Sequence, residues 1–155
     1  IHDVDWDSTG LLCHHTHFDG LILSHHYGVR PKFNFCTLSM ARPLHGNAIR
    51  NDLDTVARHY GVGNKLEDIL SRTKGVRDLP KDLLRELLAY NDTDVGIMWK
   101  IFREMLPCFP IDELKLIDHT VRSYTDPVLK VNKSLAKREH NLSKKRGRRL
   151  SRLRG

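Results

Sequence analysis

The chain has 155 residues, 39% of them hydrophobic and 29% charged, which fits one folded domain around a single core and excludes a disordered polyelectrolyte. Its apolar runs are only a few residues long, which excludes a membrane-spanning helix, and no signal-peptide pattern opens it. The net charge of +7 is uneven: Lys130 to Gly155 hold 11 Lys/Arg against Glu139 alone, or +10, while the other 129 residues carry 15 bases and 18 acids, or −3. An acidic body therefore carries a basic tail, suited electrostatically to phosphate backbones or anionic surfaces.

The first ten residues are polar and acidic, and Leu11-Leu12-Cys13-His14 reads as a short strand. Thr16 is placed to cap a helix running to about Tyr27, with Phe18, Leu21, Ile22 and His25 at the spacing of a buried stripe and Gly28 as its terminator. Lys32 to Cys36 reads as a second strand, and Thr37 opens a short helix that Pro43 disrupts. Asp52 to Tyr60 follows as a helix closed at Gly61, then two turns over Lys65 to Leu70 and a polar loop from Thr73 to Pro80. Lys81 to Leu106 is helical in pattern, with a junction expected at Asn91-Asp92-Thr93. Ile111 starts a helix whose inner face carries Leu114, Ile117 and Val121. Pro127 closes the packed part, and the tail, with its run Lys144-Lys145-Arg146-Gly147-Arg148-Arg149, is expected to be mobile in isolation. The expected division is a domain over 1–127 and a basic tail over 128–155.

Cys13, Cys36 and Cys108 are odd in number and widely spaced, which argues against a disulfide framework and a structural zinc site and favours a reducing cytoplasm. His14, His15, His17, His25 and His26 crowd into one stretch, but neighbours on a strand point to opposite faces and no Cys/His set completes four ligands.

Two groups of residues carry the chemistry. Asp19 lies in the first turn of the first long helix, where an anion is favoured. Tyr90 and Asp94 stand four apart on one helical face. Carboxylates and a phenol are the parts of metal-dependent phosphodiester hydrolysis, in which hard divalent ions generate hydroxide and stabilise the leaving oxygen. Taken singly, an Asp near a helix start is an end-stabilising charge, and a Tyr/Asp pair is packing plus a solvated acid.

In combination they resemble a family. HHTHFDGLILSHHYGVRP, then FCTLSMARPLHG, DLDTVARHYGVGNK and YNDTDVGIMWKIF, are similar in order and spacing to the 3′-to-5′ proofreading exonuclease domain of bacteriophage and bacterial family A DNA polymerases, in the DnaQ-like branch of the RNase H-like superfamily, from about Trp6 to Pro127. The resemblance implies an α/β fold with a partial sheet, mostly helical in the part present. It also implies Mg²⁺ or Mn²⁺ (two ions in an intact member), a single-stranded DNA 3′ end as substrate, and a polymerase domain following in a longer protein, in the bacterial host cytoplasm if the source is a phage. Residue by residue, Asp19 matches the carboxylate of the second exonuclease motif, Asp94 the metal-binding carboxylate of the third, Tyr90 the phenol that positions the attacking water, and Phe18 an aromatic beside the site.

The chain departs from the family at three places. No Asp-x-Glu precedes Asp19, which with the opening Ile1 reads as an N-terminally truncated domain of impaired activity; Asp3-Val4-Asp5-Trp6-Asp7 is a poor substitute, lacking an apolar strand. His15 stands where the family usually has Asn near the terminal nucleotide, and Cys36 where it commonly has Asp. If the first strands are lacking, the first helices have incompletely covered apolar faces. The nucleic-acid contacts expected are His15, Phe18, Lys144, Lys145, Arg146, Arg148 and Arg149. The alternative is a degenerate, non-catalytic domain that binds DNA through its basic tail.

Overall fold

In a computed structural model the described residues are 1, 3–64 and 69–152, with side chains described as far as Arg146. They form β1 (Gly10–Cys13), α1 (Thr16–Tyr27), β2 (Phe33–Cys36), α2 (Thr37–His45), α3 (Leu53–Tyr60), α4 (Leu70–Thr73), α5 (Lys81–Met105), a 3₁₀ turn (Leu106–Cys108), α6 (Ile111–Thr125) and α7 (Lys133–Arg152). The class is mixed α/β, mostly helical, with a small parallel sheet. None of these helices is long and apolar enough to cross a membrane.

β1, α1 and β2 make one βαβ unit, because two parallel neighbours need a crossover and α1 supplies it. The strands pair in register, Gly10 with Phe33 through Cys13 with Cys36. Side chains on a strand alternate, so the pair has two different faces. Leu12, Phe33 and Phe35 pack against the core of Met40, Val56, Ile97, Ile101, Phe102 and Met105 from α2, α3 and α5, with the Phe35 and Phe102 rings 5.1 Å apart edge to face. On the other face lie α1 and α6. There the Asp118 carboxylate of α6 accepts from both the backbone N–H and the side-chain amide of Asn34, at 2.8 and 2.9 Å, and from Arg122 Nε at 2.9 Å. Arg122 Nη2 in turn donates to the carbonyls of Pro31 and Lys32. This network occupies backbone groups at a sheet edge that would otherwise be open to another strand.

α1 is rotated away from the expected orientation. Its inward line is Thr16, Gly20 and Ser24, while Phe18, Leu21 and Ile22 face solvent, Phe18 with 62% of its surface exposed. The reason is the proximity of α6: a Cβ on Gly20 would lie 3.2 Å from Thr125 Cγ2 and 3.8 Å from Val121 Cγ1. Small residues one turn apart admit this approach and larger ones would not. Thr16 is the first helical residue rather than the cap, its hydroxyl donating to the Cys13 and Phe35 carbonyls. The preceding His15 takes the left-handed conformation, φ 82°, a costly one for a residue with a side chain.

Several other expectations also change. Pro43 does not stop α2, which continues to His45 and ends at Gly46, so the proline removes one hydrogen bond inside the last turns. α5 runs unbroken through Asn91-Asp92-Thr93: the Thr93 hydroxyl bonds back to the Ala89 carbonyl at 2.9 Å, while Asn91 and Asp92 are exposed. The tail, expected to be mobile, is helical from Lys133 to Arg152. Lys65 to Glu67 and Asp68, in the expected two turns, lie outside the described residues, and α4 is a single turn beyond them. The remaining elements stand close to their expected places, Asp52 capping α3 by accepting from the Thr55 N–H at 3.1 Å.

Replacing Gly20 by valine is expected to destabilise the fold by roughly 1–3 kcal/mol through overpacking against α6. Ile22→Ser, on the exposed face, should stay within about 0.5 kcal/mol of the parent. Urea unfolding of the two variants checks this; an inward apolar stripe would reverse their order.

A candidate metal-binding cleft between the first strand and the long helix

Where β1 ends, the chain turns through His14 and His15 into α1, and α5 passes beside this turn. A cleft of about 560 Å³ opens there, lined by Leu12, Cys13 and His14 from the strand end, Asp19 from the first turn of α1, Leu53 from the start of α3, and Asn91, Asp94, Val95 and Met98 from α5. Asp19 and Asp94, far apart in the sequence, thus line one cavity.

Its walls are apolar enough to alter the ionisation of what they hold. Burial pushes the Asp19 carboxyl above its ordinary value, with its own backbone N–H and the charge of His15 acting the other way. Burial, then the negative charge of Asp19, push the Cys13 thiol up to about 12. Cys13 is therefore a protonated wall residue at neutral pH, since the thiolate is what ligates a metal or attacks a substrate. His14 is held on both ring nitrogens, Nδ1 2.9 Å from the Thr37 hydroxyl and Nε2 3.1 Å from the Asn51 carbonyl. A carbonyl only accepts, so Nε2 carries the proton and Nδ1 accepts from Thr37 in the neutral ring. His14 braces the cleft floor against α2 and the loop before α3.

The donor chemistry of Asp19 and Asp94 fits a hard cation such as Mg²⁺ or Mn²⁺, which takes one or two carboxylates and completes its shell with water and phosphate oxygens. Among the described residues no group of three or more His, Cys, Asp or Glu gathers where a metal would be held. The acidic N-terminal segment does not line this cleft: Asp5 is bound into a local turn, accepting from Asp7 N at 3.2 Å and Ser8 Oγ at 2.7 Å.

Tyr90 lies one turn before Asp94 and is almost fully buried, outside the set of residues that line the cleft. Phe18 stands exposed beside Asp19, on the outer side of α1. His15 is exposed, its ring 6.0 Å from that of His17, which itself meets Tyr124 edge-on at 4.9 Å. Lys144, Lys145 and Arg146 are exposed on α7, and the side chains of Arg148 and Arg149 lie outside the described residues.

Two further residues emerge only from the folded chain. An open groove of about 590 Å³ adjoins the cleft, sharing His14 and Leu53 with it, and is lined also by His15, Leu38, Arg42, Arg50, Asn51 and Asp52. Arg42 sits in the last turn of α2 and Arg50 in the loop before α3, where its Nε is 3.2 Å from Asp52 Oδ2. Arg42 lies within the FCTLSMARPLHG segment but has no assigned role there, and Arg50 lies outside the four segments. A cationic groove beside a two-carboxylate cleft provides phosphate-binding groups next to cation-binding ones.

The raised Asp19 carboxyl has a definite sign for stability. Its folded value lies above the ordinary 3.8, so the ionised form costs folded-state stability above that range and the cost disappears below the unfolded value. Asp19→Asn is therefore expected to raise the urea midpoint at pH 7, and the gain should vanish as the pH falls below the unfolded-state carboxylate range. Protons and a cation compete for the same group, so Mn²⁺ affinity, read by titration calorimetry, should weaken as the pH drops through the Asp19 ionisation and be lost in Asp19→Asn.

Compared with protein-family models, with curated proteins and with solved structures, the chain gives no match in any of the three.

Proposed function

We propose that the chain is a 3′-to-5′ DNA exonuclease domain of RNase H-like fold, of the kind attached to family A DNA polymerases, acting on single-stranded 3′ ends. One observation carries the reading: the two acids matched to the second and third exonuclease motifs, Asp19 and Asp94, line the same cleft although they come from different helices. A βαβ unit with helices on both faces, and the similarity of the four sequence segments, support it from the side of the fold.

In this reading Asp19 and Asp94 hold Mg²⁺ or Mn²⁺. The ion, when bound, lowers the pKa of water and offsets charge on the phosphate. The chain itself does the rest. Arg42 and Arg50 hold phosphates in the adjoining groove, and Phe18, exposed beside Asp19, offers a ring on which a base stacks, an interaction worth about 1–3 kcal/mol. Tyr90, buried and outside the cleft lining, serves to fix the stretch of α5 that presents Asp94. The apolar walls that raise Asp19 also strengthen its attraction for a cation.

The alternative, a DNA-binding domain without cleavage, is favoured by one fact: two carboxylates meet in the cleft, where two-ion hydrolysis calls for more.

Release of nucleotides from a 3′-labelled single-stranded oligonucleotide in Mg²⁺ or Mn²⁺ decides between them. The expected result is release that falls roughly 10²-fold or more in Asp94→Asn. Arg50→Ala should raise KM more than it lowers kcat. A folded parent chain that releases nothing, under conditions where it still binds the oligonucleotide, establishes the non-catalytic alternative.

A further inference from the structure

α7 stands apart from both the cleft and its adjoining groove. Every described side chain from Lys133 to Arg146 is exposed, so this stretch of the helix gains little from packing. Its start is well formed: Asn132 Oδ1 accepts from the Leu135 N–H at 3.1 Å and from the Ser134 hydroxyl at 2.8 Å. Its charge works against it. Lys133 to Arg152 hold nine Lys/Arg and one acid, Glu139, which meets Arg138 at 3.4 Å. Like charges one turn apart, as at Lys133 and Lys137, are destabilising on a helix.

The charges are also directional. At 100° per residue, Lys133, Lys137, Arg138, Lys144 and Lys145 fall within an arc of about 140°, while Leu135 and Leu142 lie outside it, nearly in line with each other, with Arg146 beside them. The five bases extend over about 18 Å of helix at 1.5 Å per residue. A ladder of cations, five on one side and Arg146 on the other, that repel one another is complemented by a regular polyanion. Duplex DNA presents one phosphate charge per ~1.7 Å of its axis and a major groove ~12 Å wide, enough to admit a helix. A lipid surface fits less well: an interfacial helix needs a continuous apolar face, and two leucines two turns apart do not make one.

We propose that α7 is a duplex-DNA-binding arm that grips phosphates through Lys133, Lys137, Arg138, Lys144 and Lys145, independently of the carboxylate cleft. The arm deepens the exonuclease reading, on which the choice of DNA as the polyanion rests, by giving the domain a hold on the paired part of a substrate whose 3′ end enters the cleft. Binding by α7 has no sequence preference, because phosphate contacts carry none.

The test is fluorescence anisotropy of the full chain with a 20-base-pair duplex across a salt series, read without cleavage. The variant carries Gln at positions 133, 137, 138, 144 and 145; glutamine is a helix former comparable to lysine, and circular dichroism verifies that helicity is kept. The expected result is duplex binding at least about tenfold weaker in the variant, with a log–log salt slope shallower by up to about 4.5, near 0.9 for each phosphate no longer neutralised. Leu135→Ser/Leu142→Ser should bind as the parent does. Unchanged duplex binding in the five-Gln variant overturns the proposal, as does tighter binding to a single strand than to the duplex, or binding to phosphatidylserine vesicles that matches or exceeds it. Duplex binding is read without cleavage, so a parent chain that grips the duplex through these bases yet releases no nucleotide sinks the cleft reading and leaves the arm standing.

Discussion

The approach of α1 to α6 at Gly20 sets the rotation of α1 about its own axis, and that rotation determines what each residue of the helix does. With Gly20 against Thr125, Asp19, about 100° round the helix, is turned to the edge of β1 where the cleft opens. Phe18, a further 100° on, is turned outward. A helix seated on its apolar residues would have rolled the other way, burying Phe18, Leu21 and Ile22 and moving Asp19 away from α5. The position of a candidate metal ligand thus depends on the absence of a side chain at a neighbouring residue.

α6 is held in place by a different kind of force. Asp118 takes hydrogen bonds from the Asn34 backbone and side chain and from Arg122, so one carboxylate joins a strand edge to a helix, and Arg122 extends the tie to two loop carbonyls. Hydrogen bonds to charged groups are the stronger kind, and here they act on a sheet of two short strands that has little ladder of its own. The opposite face of the sheet relies on apolar packing, Leu12, Phe33 and Phe35 against α5. A directional network on one side and a non-directional core on the other hold β1 steady, and β1 delivers Cys13 and His14 to the cleft.

The cleft has its own internal logic. A protonated Cys13, a His14 committed on both nitrogens and the apolar Leu12, Leu53, Val95 and Met98 leave its negative charge with the two aspartates. Cationic groups are kept next door, in the groove of Arg42 and Arg50. That separation suits the proposed nuclease, in which a cation sits between carboxylates and phosphate. It suits a plain DNA-binding groove less, because the aspartates would then repel the backbone.

From the residues alone the strands and most helix boundaries were legible, because each rests on local physics: alternation in a strand, a cap such as Asp52, or a terminator such as Gly28 or Gly61; Asp19 and Asp94 were singled out as two acids within segments of family-like order, and their place on one cleft came from the fold. What only the folded chain decided was long-range. The periodicity of Phe18, Leu21 and Ile22 marks a helix face but not which way it turns, because the approach of α6 depends on residues about a hundred positions later. Asn91-Asp92-Thr93 reads as a break by propensity, yet tertiary packing of Ile97, Ile101, Phe102 and Met105 carries the helix through it. Arg42 and Arg50 gained their place beside the cleft from the turn between α2 and α3, and a sequence pattern has no term for two residues that become neighbours only when the chain between them closes.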